Sequence, residues 1–301
     1  MKRAVSISLG SSARNKTVEV NLAGETILLE RIGTDGDEKK AAALFSELDG
    51  QADALGVGGV ELYLRLDERE YPLRSGLNLV KGVKKTPVVD GRGIKHTLER
   101  QVMQRIEPLL DEPLQPKRAM MTVGADRYGL AQSLDEAGYE TVFCDLIFGL
   151  GAPIPVYGIK NLRRLGRILI PILAQLPISM LYPTGQSQDT IVPKYEKWFK
   201  YGPVIAGDFL YIRRYLPNSL WGQMIVTNTT TAADVELLRQ RGLKYLVTTT
   251  PVFDGRSFGT NMLEAALTAY AAKGRTLTMA EISSLLEKLD LGPTLQKLND
   301  T

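Results

Sequence analysis

The stretch that decides the fold is 122–129, Thr-Val-Gly-Ala-Asp-Arg-Tyr-Gly, which overlaps the end of a short apolar run at 119–123. The run has the composition of a buried strand, and a helical pattern follows over 130–137 with Gly138 at its end. Glycines at such a turn allow a sharp change of chain direction and let a phosphate approach the amides of a helix N-terminus. The stretch therefore predicts a strand–turn–helix unit of a parallel α/β sheet. A dinucleotide is the favoured ligand at the turn, and another nucleotide, a sugar or no ligand are the alternatives.

The same alternation continues towards the C-terminus. Further strands are predicted at 141–144, 203–206, 223–226 and 245–248, and further helices at 209–216, 232–241, 261–273 and 278–289. Short apolar strands that alternate with helices are typical of a parallel, doubly wound sheet. Residues 118–301 are therefore predicted to form a Rossmann-like nucleotide-binding domain, in which Asn261 is a candidate cap of the helix that it begins.

The N-terminal part predicts a smaller α/β domain. Its period-two runs predict strands at 4–9, 17–22 and 26–32, a helix follows over 38–48 with Asp37 as its cap, and a buried strand follows at 52–59. A linking helix is predicted over 95–110. The predicted fold class is thus α/β, with a small N-terminal α/β domain at 1–117 and a Rossmann-like doubly wound parallel sheet at 118–301.

Composition excludes several classes of protein. The chain has 301 residues and a net charge of +3, which is too small to argue for nucleic acid as a partner. Its one cysteine and one histidine exclude an internal disulfide and a multi-histidine zinc site, so no metal is expected. The charged N-terminus lacks the apolar stretch of a signal peptide, which favours a cytoplasmic location.

An insertion at about 150–202 separates two strands of the predicted sheet. It carries seven basic and two acidic residues, and 168–182 contains no charge. Pro171 and Pro177 interrupt that stretch, which is also shorter than the roughly 20 apolar residues of a membrane span. Three roles remain open: a substrate lid or interdomain packing, a homo-oligomer interface, or peripheral contact of 160–182 with a membrane or lipid.

Asp145 ends the strand that follows the Gly124 turn, 21 positions later. An acidic residue at this spacing accepts hydrogen bonds from a ribose 2′-hydroxyl in dinucleotide enzymes, so NAD or NADP is the expected cofactor, with NAD favoured. Arg127 is expected to neutralise Asp126 beside the pyrophosphate. The residues predicted to bind the cofactor are Gly124, Asp126, Arg127, Gly129, Asp145, Gly207, Asp208, Thr227, Asn228 and Thr229.

The last five of these residues follow two later strands. Ligands in open parallel sheets bind at the carboxyl ends of the strands, where Gly207-Asp208 and 227–231 are expected. Thr231 has an alternative role as the N-cap of the helix that starts at residue 232.

A polar loop at 86–97 holds the candidate catalytic pair, Lys95 and Asp90. A lysine and a carboxylate that face one substrate exchange a proton with a hydroxyl, and Arg92 beside them can hold a carboxylate in a bidentate manner. The residues predicted to bind substrate are Arg92, His96, Asp254, Arg256 and Asn261, the last three from a long polar loop at 248–261. The alternative is that both loops are structural.

The domain order, the Asp90-Gly91 and Thr97 segment and the nucleotide domain that begins near Arg118 resemble the quinate/shikimate dehydrogenase group. The resemblance implies NAD(P) in a C-terminal Rossmann domain and a lysine–aspartate pair acting on a cyclic hydroxy acid. The glycine-rich G-A-G-G turn of that group is replaced here by residues 124–127, Gly-Ala-Asp-Arg, and its usual lysine motif is missing.

The function predicted from these features is an NAD(P)-dependent oxidoreductase that acts on a small hydroxy or keto acid, or on a more hydrophobic carbonyl compound. Two alternatives from other classes remain open. One is a non-catalytic ligand-binding or membrane-associated interaction protein, and the other is a nucleotide-sugar transferase.

Overall fold

The structure, a computed structural model, describes residues 1–177, 190–220, 222–253 and 256–300. Its strands, in chain order, are β1 (Lys2–Ser8), β2 (Lys16–Leu22), β3 (Glu25–Gly33), β4 (Ala54–Gly58), β5 (Tyr63–Leu66), β6 (Arg69–Pro72), β7 (Val88–Val89), β8 (Arg118–Met121), β9 (Glu140–Phe143), β10 (Val156–Tyr157), β11 (Val204–Ala206), β12 (Met224–Thr227), β13 (Tyr245–Thr248), β14 (Val252–Phe253), β15 (Arg256–Ser257) and β16 (Thr294–Lys297). Its helices are α1 (Glu38–Glu47), α2 (Arg74–Leu79), α3 (Arg92–His96), α4 (Val102–Ile106), α5 (Tyr128–Glu136), α6 (Asp145–Leu150), α7 (Ile159–Leu173), α8 (Glu196–Phe199), α9 (Phe209–Arg214), α10 (Ala232–Gln240), α11 (Thr260–Ala271) and α12 (Met279–Lys288).

The described residues form two compact units, each built on its own sheet. The first unit contains residues 1–94, 168–177 and 259–290, and the second contains the remaining described residues. The predicted division at residue 117 differs from these units, because the chain returns to the first unit after the second has begun. The mixed α/β architecture with parallel sheets is confirmed.

The sheet of the first unit has the order β2-β3-β1-β4-β7. Its members β3, β1, β4 and β7 run parallel, and β2 is an antiparallel edge strand. Helix α11 packs on β1 and β4. Gly56 allows this approach, because a Cβ atom there would lie 3.0 Å from the carbonyl oxygen of Asn261. The C-terminal helices at 260–288 therefore belong to the first unit and not to the predicted nucleotide domain.

The sheet of the second unit has the order β10-β9-β8-β11-β12-β13-β16. The five central strands are parallel, as the sequence predicts, and β10 and β16 are antiparallel edges. Numbered along the chain, the parallel strands have the order 2-1-3-4-5. This is the order of flavodoxin-like sheets, whereas dinucleotide-binding Rossmann domains have the order 3-2-1-4-5-6. In both orders, ligands bind where the order reverses, which here lies between β8 and β11.

Two elements differ from their predictions. The helix predicted over 95–110 is broken into α3, α4 and 3-10 turns at Glu99–Gln101 and Glu107–Leu109. All of the residues from 93 to 99 except His96 are buried, so contacts with other parts of the protein surround this segment and override its helical pattern. The predicted cap Asn261 lies inside α11, where its side-chain amide donates to the Ser6 hydroxyl at 2.6 Å, and Gly259 occupies the cap position.

Other predicted helix boundaries have the expected caps. Asp37 accepts the Lys40 amide at the start of α1, and Thr231 forms a capping box with Asp234 at the start of α10. Between β9 and β11, the described part of the chain forms α6, β10, α7 and α8. The predicted contact segment 160–182 is described only as far as residue 177. None of the helices in the described ranges has both the length and the apolar character that crossing a membrane requires.

Candidate functional site

Polar side chains of the second unit converge at the carboxyl ends of β8, β11, β12 and β13. The loop after β8 supplies Asp126 and Arg127, Asp208 follows β11, Asn228 follows β12 and Thr249 follows β13. Strand order explains this meeting, because β8 and β11 are neighbours at the point where the order reverses. We call this group the acidic edge, together with Lys95 and Glu99.

Arg127 is the buried centre of the acidic edge. Its Nη1 donates to Glu99 Oε1, and its Nη2 donates to Asp208 Oδ2 at 3.1 Å. Burial alone would lower the pKa of Arg127, but the carboxylates of Glu99, Asp208 and Asp126 outweigh burial and raise this pKa. The guanidinium therefore stays charged and fixes the two carboxylates that flank it.

Further hydrogen bonds hold these carboxylates in place. Thr249 Oγ1 donates to Glu99 Oε1 at 2.9 Å, and Asn228 Nδ2 donates to Asp208 Oδ2 at 2.8 Å. The other oxygen of Asp208 accepts the Leu210 amide at 2.9 Å, which caps α9. Burial would raise the pKa of Asp208, but Arg127 and this amide lower it.

Lys95 pairs with Asp126 in the same unit. Its Nζ lies 3.0 Å from Asp126 Oδ1 and 3.2 Å from the Asp126 carbonyl oxygen. The Lys95 side chain is 4% exposed and the Asp126 side chain 17% exposed, so the carboxylate is the more accessible member. Burial raises the pKa of the Tyr211 phenol, and the carboxylates of Asp126 and Asp208 raise this pKa further.

Asp90, the predicted partner of Lys95, has other partners in the first unit. Its carboxylate accepts the amides of Leu62 at 2.9 Å, Tyr63 at 3.2 Å and Arg92 at 3.1 Å. The structure thus gives Lys95 and Asp90 different partners. Asp90 here orders a loop, which is the structural role that the sequence left open as an alternative.

The Gly124 turn is occupied by Asp145. The amide of Gly124 donates to Asp145 Oδ2 at 3.0 Å, and the amide of Ala125 donates to Oδ1 at 2.8 Å. Burial raises the pKa of Asp145 to about 6, although these two amides favour the charged form. Asp145 is the side chain expected to bind a ribose, and the amides of the turn are the groups expected to bind a phosphate. In this structure they are hydrogen-bonded to each other.

The predicted cofactor glycines are explained by packing. A Cβ atom at Gly124 would lie 2.5 Å from the ring of Phe143, and one at Gly129 would clash with the carbonyl of Lys95. Gly207 has φ +131°, and a Cβ atom there would clash with Thr122 Oγ1. Close approach of other parts of the protein therefore requires glycine at these three positions.

The remaining predicted residues belong to both units. Thr227 Oγ1 donates to the Gly207 carbonyl at 2.8 Å, and Thr229 is partly buried after β12. In the first unit, Arg92 pairs with Glu70 at 3.0 Å and lies over the Tyr63 ring. His96, at the end of α3, is partly buried. Asp254 lies outside the described residues, and the backbone of Arg256 lies in β15.

Sequence reasoning missed Glu99, which is 0% exposed. One feature of the sequence could have identified it. Glu99 lies three positions before Val102, so on a helix it shares the face that the apolar Val102 and Ile106 predict to be buried. Four buried polar atoms at this edge, all within the described ranges, have no hydrogen-bond partner: Glu99 Oε2, Arg127 Nε, Thr122 Oγ1 and Thr248 Oγ1. Unpaired buried polar atoms are rare in proteins, and this edge holds four of them.

Two family profiles match the chain. One, described as Domain of unknown function (DUF8753), covers residues 3–90, and the other, Domain of unknown function (DUF8754), covers residues 93–298. No curated protein matches the chain in sequence.

Three solved structures are similar at low identity. An NAD-dependent malic enzyme from Thermotoga maritima is 12% identical, with 94% of this chain and 75% of that chain covered and a TM-score of 0.39. A galactofuranose binding protein is 12% identical, with 98% and 94% covered and a TM-score of 0.37. A periplasmic ribose ABC transporter from Conexibacter woesei is 11% identical, with 95% and 94% covered and a TM-score of 0.35.

None of the matches named above is a quinate or shikimate dehydrogenase, so that resemblance stays a prediction. The DUF8754 profile spans more than half of the residues, and the chain therefore belongs to the DUF8754 family.

Proposed function

We propose that the acidic edge of the second unit binds a small, uncharged, hydroxyl-bearing molecule, and that the Lys95–Asp126 pair moves a proton at one of its hydroxyls. The observation that carries the proposal is the placement of charge. The side chains of Asp126 and Asp208 are 17% and 20% exposed, whereas those of Lys95 and Arg127 are 4% and 3% exposed. Carboxylate oxygens therefore face outwards, with their cations behind them.

This arrangement suits hydroxyl groups better than phosphates. Ionised carboxylates only accept hydrogen bonds, so they hold hydroxyl donors and repel anions. The three carboxylates of Glu99, Asp126 and Asp208 also outnumber the two cations of the edge. A polyol fits this donor and acceptor pattern.

The Lys95–Asp126 pair supports chemistry as well as binding. Asp126 is the accessible acceptor for a hydroxyl proton, and as its carboxylate becomes neutral the Lys95 ammonium beside it compensates the negative charge that develops on the hydroxyl oxygen. A group that accepts or donates a proton in this way contributes about 10²–10⁴ in rate.

The expected nicotinamide cofactor does not fit the Gly124 turn. Both amides of that turn donate to Asp145, and protein atoms fill the space beside both glycines. An oxidoreductase is the second candidate function, and the Lys95–Asp126 pair favours it, because alcohol oxidation requires removal of the hydroxyl proton. It would require NAD or NADP to bind away from this turn.

Thermal melting against a ligand panel tests the proposal. The panel contains neutral polyols and sugars, their phosphate esters, NAD and NADP. A neutral polyol at 100 times its Kd should stabilise the protein by about 2.7 kcal/mol. Asp126→Asn should weaken binding of that polyol about tenfold or more, because it replaces a charged acceptor.

Asp135→Asn on the exposed face of α5 is the matched control and should bind like the wild type. If no polyol shifts the melting temperature, or if Asp126→Asn binds as tightly as the wild type, the proposal is wrong. Stabilisation by NAD or NADP together with a polyol would favour the oxidoreductase.

A further inference from the structure

The turn that binds phosphate in many α/β proteins carries its own anion in this protein. Asp145 begins α6, directly after β9, and its two carboxylate oxygens each accept one amide from the loop after β8. These amides are the groups that an open turn of this kind offers to a phosphate. We infer that Asp145 is a specificity-determining residue, which fills the anion position of the turn from within and excludes phosphorylated ligands from the acidic edge.

The position of the carboxylate is fixed by the fold. The amide of Cys144, the residue before Asp145, donates to the Met121 carbonyl at 2.9 Å and extends the pairing of β8 with β9. Asp145 therefore lies beside the end of β8, where the Gly124 turn begins. Strand pairing positions this side chain without help from a ligand.

Neighbouring carboxylates reinforce the exclusion. Asp126 follows the two amides directly, and Asp208 lies across the point where strand order reverses. A phosphate that entered the turn would have to displace Asp145 and then remain close to these two further negative charges. An uncharged hydroxyl meets none of this repulsion.

The inference rests on the proposed function in one respect, namely that the acidic edge is the site where ligand binds. The occupation of the turn by Asp145 is independent of which ligand that is. Removal of the carboxylate should therefore create phosphate binding that the native protein lacks, and a merely structural aspartate would not give this result.

The test is calorimetric titration of inorganic pyrophosphate into the full-length protein, with backbone amide NMR signals of Gly124 and Ala125 as a second readout. The wild type should show no binding and no shift of these signals. Asp145→Ala should bind pyrophosphate with a dissociation constant at least about tenfold below the detection limit that the wild-type titration sets, and both amide signals should shift, because two donors are exposed and one negative charge is removed. Asp135→Ala is the control and should behave like the wild type.

The outcomes separate this inference from the proposed function. Pyrophosphate binding by the wild type, or no gain in a folded Asp145→Ala, would overturn the inference. If Asp145→Ala does not fold, the same titration is made with Asp145→Ser, a smaller polar replacement, and pyrophosphate binding that the variant has and the wild type lacks is again the expected result. A gain in the variant without any polyol binding by the wild type would overturn only the proposed function.

Discussion

Arg127 is the side chain on which the order of the acidic edge depends. It is 3% exposed and bridges Glu99, in the 3-10 turn at Glu99–Gln101, and Asp208, which follows β11, and it compensates the charge of both carboxylates. Removal of one partner of such a bridge lowers the stability of the fold, because the remaining charges no longer have an opposite charge beside them. A buried ionic group of this kind fixes geometry at the edge more than it adds to stability.

We predict that Arg127→Met lowers the free energy of unfolding by about 3–5 kcal/mol, because it leaves the buried carboxylate of Glu99 and the partly buried carboxylate of Asp208 without their cation. Arg100→Met is a matched control, since Arg100 pairs with Glu136 at the surface with a side chain that is 46% exposed. The control should cost at most about 1 kcal/mol. Urea denaturation measures both values, and equal losses in the two variants would contradict the role given to Arg127.

Glu264 is a buried carboxylate of the first unit and predicts a pH dependence of stability. One of its oxygens accepts the Gly93 amide at 2.9 Å, while burial and the nearby Asp90 carboxylate raise its pKa from 4.5 to about 8. A raised pKa means that the folded protein binds the proton more tightly than the unfolded chain. This contribution to stability is complete below about pH 4.5 and is lost as the pH rises through 8.

Glu264→Gln keeps the acceptor and cannot ionise. Relative to the wild type, the variant should therefore gain stability as the pH rises, and at pH 9 the difference should favour it by at least about 2 kcal/mol more than at pH 5. Glu287→Gln, an exposed position on α12, should show no such trend. Denaturation curves at the two pH values provide the measurement, and a difference that does not change with pH would contradict the prediction.

Positions at the ends of strands are easier to predict than partners. Asp126, Arg127, Asp208 and Asn228 are all indicated by the alternation of strands and helices, and they do meet at one edge. Their partners depend on strand order and on the bend after α3, which local patterns do not encode. For that reason the sequence predicts that Lys95 acts with Asp90, whereas the structure pairs it with Asp126.

Helix α7 carries a pattern of basic and apolar residues that is clear from the sequence. The sequence leaves the role of this pattern open. Exposed Lys160, Arg164 and Arg167 are followed by Ile168 and Ile172, which are 67% and 61% exposed. The chain contains no acidic residue between Asp145 and Asp189. A helix surface with basic residues and exposed large apolar side chains is typical of contact with an anionic lipid surface.

We predict that the protein sediments with vesicles of phosphatidylglycerol but not with vesicles of phosphatidylcholine. Arg164→Glu combined with Arg167→Glu should abolish this binding, and salt should weaken it, because screening acts over about 8 Å at physiological ionic strength. Lys39→Glu with Lys40→Glu on α1 is the control of equal charge change. Absence of sedimentation at low salt would exclude the lipid contact.

The elements themselves follow largely from local pattern. The strand predicted at 245–248 coincides with β13, and α1, α10 and α12 each differ from their predicted ranges by at most one residue at either end. The helix predicted over 95–110 is the main exception, because the inward-facing Glu99 and the buried residues around it depend on contacts with other parts of the second unit. Tertiary contacts override helical periodicity there.

The first four parallel strands have the same order, 2-1-3-4, in both sheets. No single stretch of sequence shows this feature. In each of them the first parallel strand of the chain lies between the second and the third. The return of residues 259–290 to the first unit also cannot be predicted from local pattern, because it depends on the packing of α11 against β1 and β4. A linear division of the chain is therefore the natural but incomplete prediction.

The central claim is that the acidic edge selects an uncharged polyol, and it is tested most directly by comparing one polyol with its own phosphate ester. Calorimetric titration of the wild type with both members of such a pair gives their ratio of dissociation constants. The neutral member should bind at least about tenfold more tightly, a difference of about 1.4 kcal/mol, because Asp126, Asp145 and Asp208 repel the phosphate. Tighter binding of the phosphate ester would contradict the account.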